Sequence, residues 1–133
     1  MHAQGPFDVK INPLDPYNKD DGAALSRMSI DKQFHGDLGA TSKGEMLATM
    51  DKATQSGGYV AIERVSGTLD GKKGSFVFQH SSTMARGQPS QSIIVAPGSG
   101  TGELVGLSGS MVVNIAADGA HSYDFVYSFN DDK

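Results

Sequence analysis

YVAIERVSGTLDGKKGSFVFQH, residues 59–80, reads as two strands about a glycine turn. Apolar residues alternate with polar ones on both sides of Gly67–Gly74, the period-two signature of half-buried strands. The turn falls between Leu69 and Gly74, and two or four loop residues give the same facing parity. Tyr59, Ala61, Glu63 and Val65 then share a face with Phe76, Phe78 and His80. Val60, Ile62, Arg64, Ser66, Ser75, Val77 and Gln79 share the other. The first face has the larger apolar bulk and is placed inside; the reverse facing would turn Arg64 and Gln79 inward and leave Glu63 in solvent. With a four-residue loop Glu63 and His80 stand directly opposite, their Cβ atoms about 4.5–5.5 Å apart.

The same period runs outward in both directions, and helical periodicity is nearly absent. Phe7, Val9 and Ile11 mark a first strand that stops near Pro13, followed by a polar loop from Leu14 to Ala24. A second strand is expected from about Ser26 to Leu38, and a third around Met46, Ala48 and Met50, where a helix would also fit. QSGG breaks the chain before the fourth strand, Tyr59–Leu69; the fifth covers Ser75–Met84. ARGQPSQ reads as a loop, Ser92–Ala96 as a sixth strand that could extend to Leu104, Ser110–Ala116 as a seventh and His121–Phe129 as an eighth. Short strands with short turns predict an all-β chain: one eight-stranded antiparallel meander closed into a barrel, which removes its own edges. Residues 1–133 form one such domain.

Bulk properties exclude several classes. The 133 residues can bury a core without staples. There is no cysteine, hence no disulfide and no thiolate nucleophile or metal ligand. A formal net charge of −4, with scattered Lys and Arg, argues against a nucleic-acid partner. No apolar run spans a membrane, and residues 1–6 have no signal-peptide pattern, so the expectation is a cytoplasmic protein. A homo-oligomer is compatible with the sequence.

VAPGSGTGELVGLSG, residues 95–109, resembles a phosphate-cradling loop. It matches neither GxxxxGK[ST] nor GxGxxG, and no helix follows to supply a dipole. Its Gly102–Ser110 portion instead echoes Gly67–Ser75: both read GxLxGxxGS. Both copies are therefore expected to be strand, glycine turn and strand, with the glycines serving bends and positive φ.

Chemistry concentrates on Glu63 and His80. A buried carboxylate and imidazole each cost several kcal/mol unless paired. The functional reading is a general acid/base pair in an apolar pocket; the structural one is an ion pair that locks the register. In the last hairpin, a three-residue loop Ala117–Gly119 puts Met111, Val113 and Ile115 on one face with His121, Tyr123 and Phe125. A two-residue Asp118-Gly119 turn would face those aromatics outward, a large exposed apolar patch, so the first register is taken. Tyr123 and Tyr127 then place hydroxyls inside, and His121 stands at the barrel mouth. Lys32 shares parity with Met28, Ile30 and Phe34 and is read as lying at a strand end or snorkelling. The four histidines lack ligand spacing, so no metal is expected.

The stretches GYVAIERVSGTLDGKKGSFVFQHSSTM, VAPGSGTGELVGLSG and DGAHSYDFVYSF resemble a family of small bacterial proteins of unknown function whose barrel is similar to that of allene oxide cyclase. The shared residues include Glu63, Arg64, Val65, Gly67, Leu69, Gly71, Gly74, Ser75, Phe76, Gln79 and His80, then Pro97–Gly109, then His121, Tyr123 and Tyr127. The resemblance implies an eight-stranded antiparallel barrel and no established activity. Fold likeness alone does not fix function.

The resulting expectation is a barrel that binds an apolar or amphipathic small molecule in its lumen or mouth, without a cofactor. Glu63, His80, His121 and Tyr127 would supply polar contacts, with Tyr59 and Tyr123 beside them and Phe76, Phe78 and Phe125 as walls. Cofactor-free isomerisation or cyclisation, with Glu63 or His80 moving a proton, is the enzymatic form of this reading. The alternative is a structural or interaction protein whose barrel is filled by its own side chains, which eight strands also permit.

Overall fold

Period-two patterning along the chain gives eight strands: β1 (His2–Leu14), β2 (Leu25–Phe34), β3 (Leu38–Asp51), β4 (Ser56–Leu69), β5 (Lys72–Ala85), β6 (Gln88–Val95), β7 (Leu107–Ile115) and β8 (His121–Phe129). The computed structural model describes residues 1–20 and 25–130. The strands pair antiparallel in chain order, and β1 closes on β8 to complete a barrel. β1 serves two neighbours: residues 2–7 pair with β8, residues 7–14 with β2. Among the described residues no helix is long and apolar enough to cross a membrane.

Several boundaries differ from the sequence expectation. β1 runs through Pro13, where a barrel strand tolerates proline at its end. The expected loop 14–24 begins after Leu14, and its residues 21–24 lie outside the described residues. β2 stops at Phe34, because Gly36 turns the chain with φ +91°, and Leu38 already belongs to β3. The break before β4 comes at residues 52–55, so both glycines of QSGG lie in the strand. ARGQPSQ is not a loop: Arg86 and Gly87, both at positive φ, form a two-residue turn, and β6 starts at Gln88.

Residues 102–104 form a short 3₁₀ turn rather than an extension of β6, so the second GxLxGxxGS copy is not a hairpin. Segment 96–101 instead lies along β5. Thr101 N–H donates to Ser75 O at 2.8 Å, and Ser75 N–H and Val77 N–H donate to the hydroxyls of Thr101 and Ser99 at 3.0 Å. The approach is so close that a Cβ on Gly74 would stand 3.1 Å from the Thr101 carbonyl carbon and overlap its oxygen. Leu104 inserts fully buried beneath it. This segment covers β5 where β6 has ended; β6 and β7 themselves pair at Ile94 and Ser110.

The last hairpin follows the preferred register. Ala116 N–H donates to Ala120 O at 2.9 Å around residues 117–119, with Gly119 at φ +90°. Ile115 pairs with His121 and Met111 with Phe125, and Tyr123, Phe125 and Tyr127 are buried.

The interior is divided. Toward the end carrying turns 35–37 and 70–71, Phe34, Phe76, Phe78, Tyr123, Phe125 and Tyr127 fill the lumen, with ring centroids 4.9–6.0 Å apart and mostly edge-on or tilted. The Tyr123 hydroxyl fastens that end. It accepts Leu38 N–H at 2.8 Å and donates to His35 O at 2.6 Å. Toward the opposite end the inward positions carry smaller or sparser side chains and the barrel stays open.

Candidate functional site

Between the packed half and the open mouth lies a cluster that no single hairpin contains. β4 carries Glu63 inward, wholly buried. Its strand partner is Phe78, because the β4–β5 turn has only two residues, Asp70 and Gly71, at φ 49° and 84°. The four-residue loop is thereby excluded. Asp-Gly at paired positive φ matches the right-handed strand twist, which an ordinary type I or II turn of two residues would not. His80 is opposite Ala61 and so is diagonal to Glu63, still within reach. Its Nε2 hydrogen-bonds Glu63 Oε2.

Two further partners come from β2 and β3. Lys32 Nζ meets Glu63 Oε2 at 2.8 Å, and the Ser42 hydroxyl donates to Oε1 at 2.6 Å. Lys32 therefore does not snorkel: its side chain is 8 % exposed. Its ammonium also lies 5.4 and 5.8 Å from the ring centroids of Phe7 and Phe34. A buried ammonium needs a counter-charge, and Glu63 across the barrel supplies it. Gly44, opposite Glu63 in the register, makes room: a Cβ there would stand 2.6 Å from Glu63 Cα.

Burial pushes the Glu63 carboxyl up, but the His80 hydrogen bond and the Lys32 and His80 charges outweigh it and hold the group at about 2. At neutral pH Glu63 is a carboxylate with both oxygens occupied. It is a poor acid and a weak base. His80 is placed differently: Nε2 is held by Glu63, and Nδ1 makes no hydrogen bond among the described residues. Among the described residues no buried polar side-chain atom lacks a partner.

Above the cluster is a cavity of about 300 Å³, bounded by Val9, Ile30, Met46, Ile93 and Val113, with Lys32 and His80 among its lining residues. Tyr59 and His121 stand on its rim; the Tyr59 hydroxyl accepts a hydrogen bond from Gln91 at 3.1 Å, and His121 packs 5.2 Å from Phe7. Phe76, Phe78, Tyr123, Phe125 and Tyr127 lie in the packed half and do not border the cavity. Tyr127 instead bonds Asp70 at the closed end. Two wider hollows, about 530 and 800 Å³, lie on the outer face and rim near residues 15–18, outside the barrel wall.

Strand parity thus places Glu63 and His80, but Lys32 and Ser42 were not identified as members of the site. Parity did flag Lys32 as inward-facing. What a pattern along one strand lacks is the partner, which lies 31 positions away. Among the described residues no three His, Cys, Asp or Glu side chains converge as a metal site would require.

The comparison with curated proteins finds no match. A crystal structure at 1.84 Å resolution, of a protein with unknown function from the DUF3224 family of Shewanella oneidensis MR-1, is similar at 46 % identity and a TM-score of 0.92. The match covers 98 % of this chain and 97 % of that one. Residues 3–127 match the family model described as "Protein of unknown function (DUF3224)". The chain belongs to the DUF3224 family.

Proposed function

We propose that the protein binds a compact, mostly apolar molecule in the open half of its barrel. The observation that carries this reading is the division of the lumen. Eight strands can be filled by their own side chains, and half of this barrel is; the other half keeps about 300 Å³ open above Lys32 and His80. That volume is at the small end of ligand pockets, roughly 300–1,000 Å³, and has their usual make-up of apolar walls and few polar groups. A wholly filled structural barrel has no use for such a space.

His80 is the proton carrier of this site, and Glu63 is a positioning residue. Glu63 accepts the Nε2 proton and so fixes the tautomer, leaving the Nδ1 lone pair for a substrate. Nδ1 is thereby the proton acceptor of the site, and its imidazolium can return the proton to the ligand.

The test is displacement of a neutral fluorescent naphthylamine probe. Ala48→Trp fills the mouth, where Ala48 borders the cavity. The variant should keep the fold and lose at least about tenfold in probe affinity. Equal binding by the variant, or no binding by the native chain, defeats the proposal.

A further inference from the structure

We propose that the ligand carries a single carboxylate, seated on Lys32 and His80 at the cavity floor; this rests on the binding reading above. A lysine ammonium has three N–H donors. Glu63 takes one, at 2.8 Å. The rings of Phe7 and Phe34 face the charge without offering an acceptor oxygen. Lys32 therefore reaches the floor with donor capacity unspent on the protein.

Glu63 offers nothing to a ligand, since Ser42 holds one oxygen and Lys32 and His80 share the other. Tyr59 and Gln91 are engaged with each other. Among the described residues no Asp or Glu borders the cavity; its titratable lining is Lys32, His80, His121 and Tyr59. The vacant hydrogen-bonding capacity is thus the unspent donors of Lys32 and the Nδ1 lone pair of His80, which together call for a group that brings an acceptor and a proton.

Charge counting selects the head group. Two groups able to be cationic, Lys32 and His80, bracket one carboxylate. A carboxylic acid that gives its proton to the Nδ1 lone pair of His80 leaves two cations facing two carboxylates, so the cluster stays neutral with the ligand seated. A second negative charge, as on a phosphate monoester, would be left buried and unpaired. A cationic head would meet the Lys32 ammonium. An alcohol would gain a hydrogen bond but no charge-assisted one, which is roughly twice as strong. The apolar walls then take the remainder of the molecule, with space for about ten water-sized atoms.

Calorimetric titration of the full chain with a ten-carbon series tests this: decanoate, decan-1-ol, decyl phosphate and decyltrimethylammonium, each below its micellar concentration. Decanoate should bind at least about tenfold more tightly than decan-1-ol. Lys32→Met should erase that preference, and Lys32→Arg should keep most of it. If Lys32→Met does not fold, the ranking on the native chain decides alone. Decan-1-ol binding as tightly as decanoate overturns the carboxylate while the cavity still binds. Tighter binding of decyl phosphate or of the ammonium overturns it equally. No binding by any member, nor by the neutral naphthylamine probe, overturns both this assignment and the binding reading beneath it.

Discussion

Glu63→Gln changes one atom of a wholly buried side chain, and its effect on stability should depend on pH in a calculable way. The carboxyl sits at about 2 in the folded protein, against an ordinary value of 4.5. A depressed acid contributes stability that is present above the unfolded value and is lost as pH falls through the folded one. The window is therefore about pH 4.5 down to about 2. A shift of roughly 2.5 units at about 1.4 kcal/mol each makes this contribution about 3 kcal/mol. At pH 7 the glutamine variant should be about 3–5 kcal/mol less stable, since it leaves the buried Lys32 ammonium without its counter-charge. Urea unfolding midpoints measured every half unit from pH 7 to pH 2 give both stabilities. The exposed carboxylates titrate alike in the two proteins and drop out of the difference. That difference should hold steady above pH 5 and shrink by about 3 kcal/mol by pH 2. A difference that stays flat below pH 4.5 would refute the account of the cluster.

Tyr123→Phe removes the acceptor of Leu38 N–H and the donor to His35 O; urea unfolding should show a loss of about 1–3 kcal/mol from the stranded buried groups. Gly44→Ala drives a methyl against Glu63 Cα and the Ile62 carbonyl and should cost on the order of 3 kcal/mol, whereas Gly39→Ala, whose Cβ meets only the Thr68 hydroxyl at 3.5 Å, should be neutral or gain up to about 1 kcal/mol. Gly71→Ala has open space but φ +84°, so it should lose stability by the strain alone, about 1–2 kcal/mol, seen as a lower thermal midpoint.

Parity along β4, β5 and β8 was enough to put Glu63, His80, Tyr123 and Phe125 inside, because a one-residue slip would have turned every aromatic to solvent. The two-residue turn was legible as well: Asp70-Gly71 is the strongest short hairpin signal, and a four-residue loop overlooks it. The glycine echo misled for a different reason. Gly71 serves a positive-φ turn between strands, whereas its counterpart Gly106, at φ +85°, follows a 3₁₀ turn and leads into β7. Identical letters answered two backbone settings. Lys32 and Ser42 were hidden because their partner lies across the lumen. So was the half-open barrel, whose free volume depends on how eight strands stagger around an axis.

Closure of β1 on β8 sets this chain's largest single ordering step. Every other neighbouring pair of strands is joined through a connection of a dozen residues or fewer. Phe7 and His121 meet across roughly 115 residues, a loop whose closure costs about 4 kcal/mol of chain entropy beyond a constant. Until that happens the meander is a curled ribbon with two bare margins, and afterwards it has none. Pro6 lies on this junction opposite Ser122 and has no N–H to give it. Loss of that one junction would convert an edgeless molecule into one offering two unpaired strands at once, the configuration from which chains join one another rather than themselves.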